Sequence, residues 1–282
     1  MGTMKIAIIG LGLIGGSMAK AIKENTSHTV YGYDKNDTVE KKALLLGAID
    51  EVLTDEILSQ CDLTLIALYP QAAVDFIRKK QEIFKKSSIV LDCCGVKRIV
   101  CRQVEPIALK QGFVFIGGHP MAGLEHSGFD HAKKALFKDA SMILTPTKGS
   151  IQDVEKVKDL FTAIGFTNIQ IATPEEHDQM IAFTSQLAHV VSSAYIKSPA
   201  AMKHQGFSAG SYKDLTRVAK LNEDMWTELF LDNPEFLTEE IDGIARRLEE
   251  YSRAIKDRDA ETLRALLKDG REKKAFIDGE IF

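Results

Sequence analysis

The sequence predicts an α/β domain built on a parallel sheet, followed by an all-helical domain. Three observations carry this. Over the first 172 residues, short runs rich in β-branched residues alternate with stretches whose apolar residues recur near the 3.6-residue period. A glycine-rich turn joins the first such run to the first helical stretch. Beyond residue 172 the strand pattern stops and helical patterns take over, so the expected division is 1–172 and 173–282.

Strands are expected at 5–9, 29–33, 63–68, 89–92, 113–116, 141–145 and 169–172. The intervening helices fall at 14–23, 39–46, 71–84, 98–110 and 151–164. Steady alternation of strand and helix makes the strands parallel, because each helix carries the chain back to the edge from which the last strand started. Pro174 opens the second half where proline is tolerated, in a helix's first turn, and Glu175 and Glu176 complement the positive end of that helix. Further helices are expected at 212–221, 224–231, 234–255 and 259–276, with breaks at Ser198-Pro199 and Asn233-Pro234. From Phe236 through Leu237, Ile241, Ile244, Leu248 and Tyr251 to Ile255, apolar residues recur at helical spacing while Glu and Arg take the other faces. A stripe of that length needs cover, from the rest of the chain or from a second copy, and a homodimer is expected.

With 36 Lys plus Arg against 40 Asp plus Glu, the formal charge is -4, which gives no footprint for nucleic acid or an acidic membrane surface. No apolar run approaches the ~20 residues that cross a bilayer, and residues 1–5 lead into 6–9 without a basic leader region. A cytoplasmic protein is expected. Cys61, Cys93, Cys94 and Cys101 are too few for a disulfide scaffold, and the vicinal pair cannot bridge without strain. They read as reduced thiols, and without zinc-like pair spacing no metal is expected.

Gly10-Leu11-Gly12-Leu13-Ile14-Gly15 is a GxGxxG turn placed after a strand and at the start of a helix. The glycines allow the tight turn and let a pyrophosphate approach the helix's free N–H groups. The bare triplet is a weak signal; the strand before it, the helix after it and an acid ~20 residues on give it weight. That acid is Asp34, at the end of the second strand, where a carboxylate accepts from an adenosine ribose and repels a 2′-phosphate. The reading is a Rossmann-type domain that binds NAD in preference to NADP, although Lys35 softens the repulsion and Asp34 also suits a plain turn before Asn36 and Asp37. Gly10, Gly12, Leu13, Ile14, Gly15, Asp34, Leu68 and Tyr69 make up the expected cofactor site.

Three further clusters carry polar chemistry. Gly117-Gly118-His119-Pro120-Met121-Ala122-Gly123 follows the strand at 113–116, so it is expected as a loop at the sheet's carboxyl edge, where open α/β sheets bind ligands. His119 suits proton transfer near neutrality, and a structural turn histidine is the alternative. Residues 177–189 read as one helix with Asp178, Ala182, Ser185, His189 and Ser192 on one face and Phe183, Leu187, Val190 and Ala194 opposite. The polar face looks into a cleft or into solvent. Arg217, in Ser211-Tyr212-Lys213-Asp214-Leu215-Thr216-Arg217-Val218-Ala219, could hold a carboxylate bidentately, although an arginine on a helix is usually solvated.

The order GLGLIGGS, GGHPMAG, HDxxxAxxSxxxH and YKDLTRVA followed by Trp226 resembles the prephenate and arogenate dehydrogenase family over essentially the whole chain. The resemblance implies oxidative decarboxylation of prephenate with NAD, or of arogenate. It implies His119 as the catalytic histidine, with Ser185 and His189 in the substrate pocket. It also implies Glu125 near the pocket mouth and Arg217 on a substrate carboxylate.

Three departures stand out. Where the family commonly shows D-x-x-S-V-K, with a serine hydroxyl that orients the histidine and the nicotinamide, Asp92-Cys93-Cys94-Gly95-Val96-Lys97 has Gly95. Gln186 and Ala188 stand where the family often has His and Pro, and Leu124 stands where some members have a small polar residue. Two other readings remain open: a β-hydroxyacid-type dehydrogenase using a lysine, for which Lys220 is the nearby candidate, and an NAD(H)-binding sensor without turnover, favoured only by Gly95.

Overall fold

A computed structural model describes residues 2–124, 126–147 and 151–279. Its first half runs β1 (Lys5–Ile9), α1 (Leu13–Asn25), β2 (Thr29–Tyr33), α2 (Asp37–Leu45), β3 (Glu51–Val52), α3 (Asp55–Leu58) and β4 (Leu63–Ile66). There follow α4 (Pro70–Lys80), β5 (Ile89–Asp92), α5 (Arg98–Gln111), β6 (Val114–Pro120), β7 (Ser141–Pro146), α6 (Ile151–Ala163) and β8 (Asn168–Ile171). The strands lie in one sheet in the order β3-β2-β1-β4-β5-β6-β7-β8. The order reverses direction between β1 and β4, which opens a crevice at the carboxyl ends of those two strands.

The alternation of side chains along each strand builds a core on both faces of the sheet. Ile6 and Ile8 of β1 pack on one face with Met18 and Ile22 of α1 and with Phe161 of α6. Ala7 and Ile9 pack on the other with Val74 and Ile77 of α4 and Val104 of α5. The two-residue strand β3, too short to carry a periodic signal, is an addition to the expected set.

Two expectations about the sheet are corrected. Strands β3 to β6 are parallel, but β7 runs antiparallel to β6, with Pro120 opposite Met142 and Ile116 opposite Pro146. Among the described residues the only helical element in the connection between them is a short 3₁₀ turn, Phe129–His131, and the chain turns back at the carboxyl edge without crossing the sheet. This pairing extends β6 through Pro120, so Gly117, Gly118 and His119 belong to a strand and not to a loop. Strand glycines of this kind mark close approach of other groups. A Cβ at Gly118 would lie 2.6 Å from the Asp92 carbonyl oxygen, and one at Gly117 would collide with the Thr145 hydroxyl.

Beyond β8 the chain is helical: α7 (Pro174–Ile181), a π-helical turn (Ala182–Leu187), α8 (Ala188–Ile196), α9 (Gly210–Thr216), α10 (Glu223–Leu231), α11 (Pro234–Lys256) and α12 (Ala260–Ile277). Thr173 and Glu176 cap α7 reciprocally. Helices α7 to α10 pack with the sheet in one compact unit, Met1–Pro234, and Glu235–Phe282 forms a second, made of α11 and α12. Within the second unit the Tyr251 hydroxyl donates to the Leu266 carbonyl across the pair, while Leu248, Ile255, Leu267, Phe276 and Ile277 stay exposed. No helix among the described residues is long and apolar enough to cross a membrane.

Candidate active site

The glycine turn divides its labour among three residues. Gly10 has φ +86°, and a Cβ there would lie 2.6 Å from the Ala67 carbonyl oxygen and 2.8 Å from the Leu68 side chain. A Cβ at Gly15 would collide with the Gly10 carbonyl oxygen, so both outer glycines let the turn close on itself and on the end of β4. A Cβ at Gly12 would meet nothing within 4 Å. Gly12 is the N-cap of α1 with no capping side chain and no acid in the first turn, so the helix offers uncapped N–H groups to an open space. Leu13 and Ile14, both partly buried, begin the helix there.

Asp34 accepts from the Leu11 N–H at 2.9 Å through one oxygen and from the Asn36 N–H at 3.0 Å through the other. It therefore fixes the glycine turn to the end of β2 and keeps acceptor capacity for a ribose hydroxyl. Tyr69, exposed, caps the start of α4 one residue beyond Leu68. The cradle fits a dinucleotide: room for a pyrophosphate at Gly12 and a carboxylate where an adenosine ribose would lie.

At the carboxyl end of β5, Asp92 and Lys97 form a wholly buried ion pair. The Lys97 ammonium also donates to the Gly118 carbonyl at 2.6 Å, and Asp92 accepts from the Cys94 N–H at 2.9 Å and the Gly118 N–H at 3.3 Å. Burial alone would depress the ammonium, but the Asp92 carboxylate carries it above the ordinary lysine value. The pair clamps β5, β6 and the start of α5 together one residue from His119.

His119 is partly buried. Its Nδ1 lies 2.9 Å from His177 Nε2, and His177 Nδ1 lies 2.7 Å from Asp178 Oδ1. Asp178, fully buried, also accepts from the Lys97 N–H at 2.7 Å and the Arg98 N–H at 2.9 Å, at the N-terminus of α5. Burial, the neighbouring His177 and then the Lys97 cation hold His119 well below the usual histidine range. Burial also lowers His177, against the opposing pull of Asp178. His119 is thus neutral at physiological pH, the state a proton acceptor needs.

The other ring nitrogen, His119 Nε2, faces Gly95: a Cβ there would lie 3.9 Å from it. The same Cβ would lie 3.2 Å from Leu229 of α10, so a leucine side chain fills the space beside Gly95. Gln186 holds that leucine in place. It is buried, its amide donates to the Leu229 carbonyl at 2.9 Å, and it accepts from Asn233 at 2.8 Å. Two departures from the family pattern, Gly95 and Gln186, therefore meet at one residue.

The expected polar face of the 177–189 segment is corrected. The π-helical turn interrupts the single α-helix, and Asp178, Ala182 and Ser192 are buried while Phe183 of the apolar stripe is 56% exposed. The face turns inward because Asp178 caps α5, and the apolar side is divided, with Leu187 buried and Phe183 and Ala194 exposed. Ser185 is half-buried in the π-helical turn. His189 Nδ1 donates to the Val218 carbonyl at 3.1 Å, and its ring lies 3.9 Å, centroid to centroid, from Trp226. Burial, outweighing the Val218 contact and aided by the Arg217 cation, lowers its proton affinity. Arg217 is exposed at the end of α9. Glu125 lies outside the described residues. Lys220 is exposed.

A dinucleotide cradle at the switch of a doubly wound sheet, with a histidine on β6, two strands along from β4, defines a dehydrogenase of the Rossmann class. The family model for the nucleotide-binding domain of prephenate dehydrogenase matches residues 18–170, and that for its dimerization domain matches residues 173–269. The chain belongs to the prephenate dehydrogenase family. It is 31% identical to the prephenate dehydrogenase of Bacillus subtilis (strain 168), over 92% of this chain and 72% of that one. It is 30% identical to the cyclohexadienyl dehydrogenase of Zymomonas mobilis, over 96% of this chain and 95% of that one. A crystal structure of prephenate dehydrogenase from A. aeolicus in complex with hydroxyphenyl propionate and NAD+ superposes with a TM-score of 0.87 at 29% identity, covering 98% of this chain and 99% of that one.

Proposed function

We propose that the chain catalyses the NAD-dependent oxidative decarboxylation of prephenate to 4-hydroxyphenylpyruvate, a step of tyrosine biosynthesis. The observation that carries this is His119 on β6, joined to His177 through Nδ1 and with Nε2 facing Gly95 in the turn after β5. Bound NAD supplies the hydride acceptor. Gly10, Gly12 and Gly15, with Leu13 and Ile14, hold its pyrophosphate, Asp34 holds its ribose, and Leu68 and Tyr69 close the cradle.

His119 takes the proton of the substrate's ring hydroxyl as the carbonyl develops, while the ring carboxylate leaves as carbon dioxide and the ring becomes aromatic. Arg217 and His189 hold a substrate carboxylate, and Ser185, Glu125 and Gly95 shape the pocket. A grip on the leaving carboxylate would oppose its loss, so the arginine serves the side-chain carboxylate instead. Residues 1–172 act as the cofactor domain and 173–282 as the substrate and dimerisation domain. The exposed apolar residues of α8, α11 and α12 support a homodimer, for which sedimentation should give a mass near twice 31.2 kDa. Four free cysteines fit a reducing cytoplasm.

Purified protein with NAD and prephenate, followed at the NADH absorbance, tests the reaction; arogenate is the second substrate to try, given the cyclohexadienyl dehydrogenase relative. No NADH from either would refute the proposal and favour a binding role.

A further inference from the structure

With glycine at position 95 and Leu229 packed beside it, no side-chain hydroxyl from that loop reaches the reactive edge of His119. Its ring is instead hydrogen-bonded from the opposite edge, at Nδ1. We propose that Asp178 and His177 are positioning residues that set the tautomer and orientation of His119 from that side, so that Nε2 carries the lone pair. This rests on His119 being the base of the proposed reaction.

The donors and acceptors along the chain fix the tautomers. Asp178 takes the backbone N–H of Lys97 on one oxygen and that of Arg98 on the other, and Arg98 Nε lies 3.5 Å from the second oxygen. Surrounded by donors at a helix N-terminus, this carboxyl serves as an acceptor. Its 2.7 Å contact with His177 Nδ1 then requires the hydrogen to sit on that nitrogen. A neutral His177 with Nδ1–H has a bare Nε2, so the 2.9 Å contact to His119 requires a hydrogen on His119 Nδ1. A neutral His119 with Nδ1–H has its lone pair at Nε2, the nitrogen that faces Gly95.

The reverse tautomer would present an N–H to the substrate hydroxyl and leave no acceptor. The carboxylate therefore acts across two imidazoles. When Nε2 takes the substrate proton, the hydrogen on Nδ1 stays in place and its bond to His177 becomes charge-assisted. As loss of carbon dioxide makes the ring aromatic, Nε2 returns that proton to the phenolic oxygen, so the reaction has no net proton change.

The chain begins at adjacent residues, His177 and Asp178, on the first turns of α7, whose capping box fixes the helix start. Asp178 simultaneously caps α5, which starts one residue after Lys97. The same carboxylate thus ties the tautomer of the base to the docking of α7 on the sheet domain. In triad enzymes, a mis-set tautomer alone costs about 10⁴-fold in kcat.

The test compares His177→Leu with His177→Gln. Glutamine offers a carbonyl to His119 Nδ1 and an N–H towards Asp178, so it keeps the polarity of the chain without a titrating ring. His177→Leu should lose about 10²–10⁴-fold in kcat with little change in KM or NAD affinity, and His177→Gln should recover at least tenfold of that loss. Equal activity of folded His177→Leu and wild type would overturn the proposal, as would equal loss in both variants. If neither variant folds, histidine-¹⁵N spectra of the wild type decide: His119 should show an unprotonated Nε2 and His177 a protonated Nδ1, and the opposite assignment overturns it. His119→Asn in the same assay separates the two readings. If that variant is inactive while His177→Leu is normal, only the positioning role fails; if His119→Asn is itself normal, the base assignment fails.

Discussion

Replacing Lys97 by Met removes one partner of a fully buried ion pair and leaves Asp92 facing Cys94 N–H and Gly118 N–H without its cation. Methionine has nearly the same length and fills the volume, so the cost is electrostatic. Removing one member of a buried pair costs about 3–5 kcal/mol, because the surviving charge is left uncompensated or must take up a proton. For a chain of this size class each kcal/mol moves the melting temperature by about 2–4 °C, so the expected drop is about 6–20 °C. The same cation lowers the proton affinity of His119, after burial and His177. Its removal should therefore move the acid limb of kcat to higher pH. The assays are a thermal melt followed by circular dichroism and a kcat profile at saturating prephenate and NAD between pH 5 and 8. A melting temperature within about 2 °C of wild type, together with an unmoved acid limb, would refute the role assigned to the pair.

The remaining expectations concern the site and its pH dependence. Asp34→Ser should lower the ratio of catalytic efficiencies with NAD and NADP, and an unchanged ratio would remove Asp34 from cofactor selection. Arg217→Ala should raise KM for the substrate roughly tenfold or more with a smaller change in kcat, about 1.4 kcal/mol of binding per decade; a fall in kcat alone would place it elsewhere in the mechanism. Stability should decline as pH falls below about 6.5. Burial holds His28, His119, His177 and His189 down in the folded chain, so the unfolded chain binds protons first. Asp232, raised to about 6 by burial and by Glu228 and Asp178, takes up its proton early in the folded state and offsets part of that loss between about pH 6 and 4. Urea midpoints at pH 7 and pH 5.5 check the sign, and an equal or higher midpoint at pH 5.5 contradicts it.

Where local pattern decides structure, the sequence was sufficient. The strands at Lys5–Ile9, Thr29–Tyr33 and Ile89–Asp92 coincide with their expected bounds because each is a buried β-branched run closed by polar or glycine residues. The reversal at β7 was not legible, since strand direction depends on where the connection goes and not on the strand's own residues. His119 stood out through its glycines, but those glycines suggested a loop; they are strand residues kept small by Asp92 and Thr145, which lie on other strands. His177 and Asp178 were read only as the start of a helical face. Their partners, His119 and the N-terminus of α5, lie 58 and about 80 residues away in sequence, and no local periodicity marks such a contact. The available signal was the adjacent His-Asp pair itself, two groups able to form an acceptor chain. Gly95 and Gln186 were visible as departures, yet only the packing of Leu229 joins them.

The central claim is that His119 is the base for oxidation of prephenate, and the most direct measurement is the pH profile of kcat for NADH formation by wild type and His119→Asn. The wild type should produce NADH from prephenate and NAD, with an acid limb below the ordinary histidine value of about 6.5. His119→Asn should lose about 10²–10⁴-fold in kcat, lose that limb, and keep its NAD affinity. A His119→Asn enzyme with near-normal turnover and the same acid limb would contradict the account.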